Sequence, residues 1–195
     1  MVMSRSSAIR TRRWSRVEYD RLIEKGLFEP GERLELISGA LVVREPQGSA
    51  HATAIELAQD ALRAAFGPGW RVRVQLPIAL DDQSEPEPDL AVVHGTPRDY
   101  RDAHPSRPVL IVEVAEASLS FDRRHKGSLY ARAGVADYWI VNLAKRVLEF
   151  RREPTLKVSA PYGWRYRDVQ MLTPSASAAP LAAPAAAIAV ADLLP

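Results

Sequence analysis

The stretch of sequence that decides the fold reads Glu85-Pro86-Glu87-Pro88-Asp89-Leu90-Ala91-Val92-Val93. A second apolar run follows it as Val109-Leu110-Ile111-Val112-Glu113-Val114. Both runs are continuous and rich in β-branched residues, which predicts central strands covered on both faces of a sheet. Asp89 begins the first strand and Glu113 lies near the end of the second, so neighbouring strands can bring their carboxylates together. Because such carboxylates repel each other unless a cation lies between them, the pair is a candidate metal site.

Periodicity and turn residues predict the other elements of the chain. Ser15 and Glu18 have the spacing of a capping box, which predicts a helix over residues 16–25. The further predicted elements are a hairpin of strands 33–37 and 40–43, a helix 49–66 with Ser49 as N-cap, strands 71–76, 138–141, 147–151 and 164–170, and a helix 120–133. This order predicts an α/β or α+β fold in which helices flank a mixed sheet, preceded by an N-terminal helix and β-hairpin.

Composition divides the chain into three predicted parts. With 195 residues and 47% hydrophobic content the chain can bury one core, and we expect a single domain over residues 15–172. Residues 1–14 are rich in arginine and contain no acid. They are best explained as a solvated, disordered arm, with a phosphate-contacting arm or an organellar transit peptide as alternatives. Residues 173–195 form an alanine- and proline-rich tail that we expect to be loosely held, and residues 188–194 can return to the domain.

The absence of cysteine limits the chemistry. It excludes a disulfide scaffold, a thiolate zinc site and a cysteine nucleophile. Any metal must therefore be held by oxygen or imidazole, and carboxylates favour Mg²⁺ or Mn²⁺. No apolar run is long enough to span a bilayer and the N-terminus lacks the hydrophobic core of a secretion signal, so we expect a cytoplasmic protein without membrane contact. The net charge of +2 is too small to indicate a polyanionic partner by itself.

Lys126 is the candidate basic residue of the predicted site. On the helix predicted over residues 120–133 it shares the apolar face with Asp122 and Tyr130. Taken alone, such a lysine more often extends its stem to the surface or pairs with Asp122. Two observations favour a role beside Glu113. The chain has 4 lysines against 22 arginines, and a titratable ammonium suits water activation better than a guanidinium, which keeps its proton.

Three further polar residues can lie beside the same site. Glu35 projects from the hairpin, either to solvent or into a cleft at the edge of the sheet. His51 lies on the apolar side of the first turn of the helix 49–66, where it is either a hydrogen-bonded core histidine or a residue that positions water or a carboxylate. Gln75 is better explained as an ordinary polar strand residue than as a support for the site. The other histidines, His94, His104 and His125, have no ligand-like spacing.

Several blocks, taken in order along the chain, resemble one family of proteins. The blocks are Leu34-Glu35-Leu36-Ile37-Ser38-Gly39, His51, Glu85-Pro86-Glu87-Pro88-Asp89-Leu90, Val112-Glu113-Val114, Asp122 through Lys126, and Tyr130-Ala131-Arg132-Ala133-Gly134-Val135-Ala136-Asp137-Tyr138-Trp139-Ile140-Val141. Each block alone is weak, but the ordered set is specific, and it extends over residues 15–152 and can include 188–194. The chain resembles the Uma-type restriction endonucleases, a family usually placed in the PD-(D/E)xK nuclease superfamily.

This resemblance implies a restriction-endonuclease-like fold and a magnesium-type cofactor, Mg²⁺ or Mn²⁺, bound by Asp89 and Glu113 with Glu35 as a further acid. In the superfamily pattern the lysine lies two residues after the second acid, where this chain has Ala115. Families of this type commonly supply the lysine from the following helix instead, and Lys126 matches that position.

The expected function is metal-assisted hydrolysis of phosphodiester bonds, with nucleic acid, DNA above all, as the partner. Lys126 would orient the attacking water or stabilise developing charge. Two alternatives stay open. One is a nuclease-like module that binds nucleic acid or protein without cleaving it, which Ala115 and the small net charge favour slightly. The other is a metal-dependent hydrolase of smaller phosphate esters. A homodimer would suit the cutting of two strands.

Overall fold

A six-stranded mixed sheet forms the centre of the computed structural model, which describes residues 11–44 and 46–195. In chain order the elements are α1 (Arg16–Glu24), β1 (Leu34–Ile37), β2 (Ala40–Val43), α2 (Ser49–Phe66), β3 (Trp70–Val74), β4 (Leu90–His94), β5 (Leu110–Ala115), α3 (Leu119–Phe121), a π-helical turn (Asp122–Lys126), α4 (Gly127–Arg132), β6 (Asp137–Asn142), β7 (Val147–Leu156), β8 (Trp164–Leu172), β9 (Ser177–Ala178) and β10 (Ile188–Ala189). Two short 3-10 helices span Pro97–Tyr100 and Val190–Leu193. The predicted class, a mixed sheet flanked by helices with an N-terminal helix and hairpin, is confirmed.

The strands of the large sheet lie in the order β3-β4-β5-β6-β7-β8. Neighbours are antiparallel except β5 and β6, which are parallel and are joined by the crossover through α3, the π-helical turn and α4. The two β-branched runs are the central strands β4 and β5, as predicted. Leu90 pairs with Val112, and one further step along this antiparallel register places Asp89 beside Glu113.

Each face of the sheet is covered by different elements. On one face, Leu62 of α2 packs with Val92 and Val112. On the other, Tyr130 of α4 packs with Ile111. Because side chains alternate along a strand, Glu113 projects to the same face as Ile111, which is the face covered by α4. The sheet therefore delivers this carboxylate towards the crossover helix.

Local signals define the N-terminal region. Ser15 and Glu18 form the predicted capping box of α1. The hairpin turns through Ser38 and Gly39, which have φ angles of 48° and 80°. A Cβ on Gly39 would lie 2.7 Å from Cβ of Arg13, so the turn conformation and the close approach of Arg13 both require glycine there.

Part of the predicted basic arm contacts this hairpin. Residues 1–10 lie outside the described residues. Arg13 donates a hydrogen bond to the carbonyl of Ser38 at 2.5 Å, and the backbone N–H of Trp14 donates to that of Gly39 at 2.9 Å. These two residues are therefore attached to the domain rather than solvated, because the carbonyls of the tight turn lack partners within the hairpin.

Several boundaries differ from the sequence prediction. Gly48, not Ser49, is the N-cap of α2. Gln75 lies beyond β3 rather than in it, because its φ angle of 49° interrupts the extended backbone. β7 continues past residue 151 to Leu156 and includes Pro154. Proline is tolerated there because β6 pairs with β7 only as far as Arg152, so one edge of β7 has no partner beyond that residue.

The alanine- and proline-rich tail is attached more closely than its composition predicts. β9 and β10 pair with each other, and the backbone N–H of Leu181 donates to Asp137 at 2.9 Å. Ile188, Val190 and Leu193 are buried in the same core cluster as the apolar face of α2. Residues 188–194 return to the body because that face needs an apolar cover, a long-range demand that local composition does not encode. Within the described residues, no helix combines the length and apolar character needed to cross a membrane.

Candidate active site

The two acids predicted to converge are in contact. The backbone N–H of Asp89 donates to Oε2 of Glu113 at 3.4 Å, and the N–H of Val114 donates to Oδ2 of Asp89 at 2.8 Å. Both carboxylates are buried, each residue being 2% exposed. Because an isolated buried carboxylate is strongly destabilising, compensating cationic groups must lie nearby.

Lys126 supplies one of these groups. Its Nζ atom lies 2.9 Å from Oε1 of Glu113 and 3.4 Å from Oε1 of Glu35. Burial lowers the pKa of Lys126, but Glu113, Glu35, Asp122 and Asp89 outweigh it and raise the pKa above its ordinary value. The lysine is therefore a buried, charged partner of the acids rather than a surface side chain.

The π-helical turn brings Lys126 to this position. The sequence pattern predicts a regular helix, whereas the five residues Asp122–Lys126 form the wider turn. Such turns occur often at functional sites, because they shift the side chains that follow them relative to a regular helix. Asp122 is also buried and accepts a hydrogen bond from the Ser118 hydroxyl. Burial raises the pKa of this carboxyl, and Lys126 opposes that rise.

Arg44 is the second cation, and sequence reasoning did not identify it. Its guanidinium lies 3.0 Å from Glu35, 3.1 Å from Asp89 and 3.3 Å from Glu87. Glu35 itself is buried, so it points into a cleft and not to solvent. One signal could have indicated Arg44. Val42 pairs with Glu35 across the hairpin, and a residue two positions further along a strand lies on the same face.

Besides Arg44, three side chains contact the carboxylate of Asp89. Nε2 of His51 lies 3.2 Å from Oδ2 without hydrogen-bond geometry, and the amides of Gln47 and Gln75 donate to Oδ1 at 3.3 and 3.4 Å. Burial raises the pKa of Asp89, but His51, Lys126 and the nearby N–H group together hold it below its ordinary value. His51 thus lies at the site and not in the core. Gln75 contacts an acid of the site, and Gln47 was missed because it lies in a loop without a recognisable pattern.

Tyr130 also contacts the site. Its hydroxyl donates a hydrogen bond of 2.6 Å to Oε1 of Glu113, and the ammonium of Lys126 donates to the same oxygen. Burial raises the pKa of Tyr130 well above its ordinary value, and Glu113 adds to the rise, so the hydroxyl stays a donor. The sequence placed Tyr130 on the helix face of Lys126 but gave it no role.

Apart from Gln75 and Tyr130, which support its acids from behind, these residues line one cleft with a volume of about 340 Å³. Its walls come from the end of the hairpin, the start of α2 and the segment from Glu116 to Asp122, and its floor includes Asp89 and Glu113. The structure thus brings together five predicted residues, which are Asp89, Glu113, Lys126, Glu35 and His51. Of the three remaining histidines, His94 packs on Trp70, His104 lies near Glu85, and His125 packs on Phe121.

The donor set suits a hard cation. It consists of carboxylate oxygens, and Oε2 of Glu35 is buried without a hydrogen-bond partner, with only the ammonium of Lys126 3.4 Å away, so this oxygen can accept a further ligand. In the described part of the chain, no three His, Asp or Glu side chains are already arranged to hold a metal. Arg44 and Lys126 explain this result, because they occupy the positions between the acids. The residues therefore fit a divalent ion in chemistry, provided that Arg44 moves.

Comparison with known proteins bears on the fold and on the family. A crystal structure of a protein from Anabaena variabilis ATCC 29413, described as "a putative nuclease belonging to DUF820", is similar to this chain with a TM-score of 0.68 and 15% sequence identity, and the alignment covers 92% of this chain and 97% of that one. This likeness confirms the predicted nuclease-like fold. A search of curated proteins finds no match. Residues 16–191 match the model of the Uma2 family, described as "Putative restriction endonuclease", and the chain therefore belongs to the Uma2 family, as the sequence blocks indicated.

Proposed function

We propose that the protein is a metal-dependent nuclease that hydrolyses phosphodiester bonds, with DNA as its substrate. The observation that carries this proposal is the meeting of Asp89, Glu113, Glu35 and Lys126, which come from four separate elements, in one cleft. Membership of the Uma2 family and the description of the Anabaena protein as a nuclease support it. A cytoplasmic location and a homodimer remain predictions from the sequence.

Three acids would hold the cation, which we propose to be Mg²⁺ or Mn²⁺. They are Asp89, Glu113 and Glu35. A bound ion of this kind lowers the pKa of water and neutralises charge on phosphate oxygens. Arg44 contacts two of these three acids, so its guanidinium has to leave them when the ion binds. Once released, it lies at the cleft wall as a positively charged hydrogen-bond donor suited to a phosphate.

Lys126 would act as a hydrogen-bond donor and a fixed positive charge. In the metal-free protein the acids of the site raise its pKa above the ordinary value, and we therefore assign it the role of donor and not that of the base that accepts a proton from water. The sequence favours Lys126 for a different reason, namely that a titratable ammonium suits water activation. An ammonium held between Glu113 and Glu35 can instead orient a water molecule or stabilise an oxygen on which negative charge develops. His51, next to Asp89, would position that carboxylate or a water molecule.

A second candidate function is a nuclease-like module that binds without cleaving. One observation favours it, since Arg44 and Lys126 together already contact all three acids without a metal. Ala115 at the usual lysine position points the same way. The two candidates differ in whether a divalent ion enters the cleft and whether the chain then turns over substrate.

Cleavage assays separate the candidates. Labelled double-stranded DNA, single-stranded DNA and RNA would be incubated with the protein and Mn²⁺ or Mg²⁺, alongside a small phosphodiester. We expect cleavage of DNA that stops with EDTA and falls at least about 100-fold in Asp89→Asn and in Glu113→Gln. Asp60→Asn, at an exposed position of α2, is the matched control and should cleave normally.

Other outcomes have definite meanings. DNA binding without metal-dependent cleavage would support the binding module. Turnover of the small diester alone would indicate a hydrolase of phosphate fragments. Cleavage that survives Asp89→Asn would overturn the assignment of the site, because that variant removes a charge without changing the shape of the side chain.

A further inference from the structure

A second pocket of about 240 Å³ lies beside the crossover helix, outside the candidate active site. Four arginines line it, namely Arg123, Arg124, Arg151 and Arg165, together with Ser128 and Trp164. We propose that this pocket binds a backbone phosphate of the nucleic-acid strand whose scissile bond lies in the active-site cleft. The inference rests on the proposed nuclease function and adds a subsite to it.

The charge of the pocket is unbalanced. Glu149 is buried behind it and accepts hydrogen bonds from Arg123, Arg151 and Asn142. That single carboxylate is shared by two arginines. Arg124 and Arg165 are exposed, and within the described residues they form no ion pair. No acidic residue of the described chain lines the pocket. Such a cluster of guanidinium groups attracts an anion, and phosphate matches their planar, multiple-donor geometry.

Part of the pocket is held in place before any ligand arrives. Glu149 fixes the two arginines that contact it, and Nε of Arg151 is buried without a hydrogen-bond partner. The Ser128 hydroxyl donates to the carbonyl of Trp164 at 2.7 Å and accepts from the N–H of Tyr162 at 3.0 Å. These bonds fix the turn that forms the rim. A preorganised site loses less conformational entropy when it binds a ligand.

The pocket is adjacent to the active-site cleft along the chain and in space. Asp122 and Lys126 of the π-helical turn line the cleft, whereas Arg123 and Arg124 of the same turn line the basic pocket. One turn of helix therefore contributes to both sites. In our proposal a strand with one phosphate in the cleft places another of its phosphates in the pocket.

Aromatic side chains connect the two sites. Phe121 lines the cleft and stacks on His125, with 5.3 Å between ring centroids and 19° between planes. His125 meets Tyr162 at 6.1 Å, and Tyr162 adjoins the rim of the basic pocket. All three rings are partly exposed. Alternation of aromatic rings with positive charge is the arrangement that binds bases and phosphates of a single strand.

A binding assay tests the subsite. The Asp89→Asn background blocks cleavage, and fluorescence anisotropy then measures the Kd for a labelled DNA strand at several salt concentrations. The double variant Arg124→Gln, Arg165→Gln removes two exposed arginines that pair with no acid among residues 11–44 and 46–195. We expect it to weaken binding on the order of 10-fold or more and to lower the slope of log Kd against log salt by about 2.

The matched control is Arg63→Gln, Arg98→Gln, which removes the same charge at exposed positions elsewhere. If both double variants lose affinity equally, or if the chain binds no nucleic acid, the subsite is overturned. A last experiment measures thermal unfolding of the protein with and without inorganic phosphate. If phosphate raises the Tm of the protein but removal of the two arginines leaves the DNA affinity unchanged, the pocket is a small-anion site. That result contradicts the proposal.

Failure of the subsite and failure of the nuclease function give different results. Arginine-dependent binding without cleavage by the wild type would keep the subsite and remove the nuclease. Cleavage by the wild type, with a DNA affinity that does not change in the Arg124→Gln, Arg165→Gln variant, would keep the nuclease function and remove the subsite.

Discussion

Nζ of Lys126 lies 2.9 Å from Oε1 of Glu113, and both residues are buried. Burial raises the pKa of the Glu113 carboxyl, while the ammonium opposes that rise. Each charge is thus tolerated because of the other. Removal of one partner leaves an uncompensated buried charge, which usually costs more than the pair contributes.

We therefore expect Lys126→Met to lower the free energy of unfolding by about 3–5 kcal/mol at pH 7. Urea denaturation followed by circular dichroism measures this change. Adding Glu113→Gln to Lys126→Met should restore part of the loss, because it removes the unpaired charge. Lys145→Met, at an exposed position, is the control and should change stability by less than about 0.5 kcal/mol. An effect of Lys126→Met no larger than that of the control would show that the ion pair does not form.

Tyr130→Phe tests the hydrogen bond to Glu113. The variant removes only the hydroxyl that donates to Glu113. Hydrogen bonds of this kind orient the carboxylates that bind a metal, so we expect its loss to weaken Mn²⁺ binding on the order of 10-fold. Isothermal titration calorimetry measures the affinity. Tyr166→Phe is the matched control, since that hydroxyl donates to the carbonyl of Val135 at 2.8 Å, away from the cleft. Equal metal affinities in the two variants would exclude a role of Tyr130 in the site.

Arg44→Gln tests competition between the guanidinium and the metal. Arg44 contacts Glu35 and Asp89, so its removal should destabilise the metal-free protein and strengthen Mn²⁺ binding on the order of 10-fold. The increase in Tm on addition of Mn²⁺ should then exceed that of the wild type. Arg33→Gln, which contacts Glu87 at the surface, should leave the metal response unchanged. Weaker Mn²⁺ binding by Arg44→Gln would mean that the guanidinium supports the ion instead of competing with it.

Local patterns in the sequence predict the positions of the two acids well. β4 and β5 are continuous apolar runs. Asp89 directly precedes the first run and Glu113 interrupts the second, and a shared site explains both positions. The hairpin and α1 are predicted for a similar reason, since turn and capping residues act within a few positions of each other.

Features that depend on contacts between distant parts of the chain cannot be predicted from local sequence patterns. Arg44 is a site residue only because the hairpin folds over the sheet and brings it to Asp89. The π-helical turn has the composition of an ordinary helix, so nothing local distinguishes it. Residues 173–187 have the composition of a loosely held segment, yet Ala178 is buried in the core cluster of α2. In each case tertiary packing overrides local propensity.

Glu85 gives the stability a pH dependence. Burial raises the pKa of its carboxyl to about 7. Among the described residues, its ion-pair partners are Arg16, 3.8 Å away, and His104, 3.9 Å away, which is charged when protonated. The folded state therefore binds the carboxyl proton of Glu85 more tightly than the unfolded state does. The contribution of this proton to the free energy of unfolding is complete below the ordinary carboxyl pKa of 4.5 and is lost as the pH rises through 7.

Glu85→Gln removes the buried charge while keeping the shape of the side chain. We expect it to raise Tm by about 2–4 °C at pH 8.5 and to make little difference at pH 4.5, where the wild-type carboxyl is protonated in the folded state. Thermal unfolding at pH 4.5, 7 and 8.5 measures the change. Glu56→Gln, at an exposed position of α2, should show no such trend. A Glu85→Gln variant that is less stable than the wild type at pH 8.5 would show that the carboxylate is fully compensated, with Arg16 as its partner.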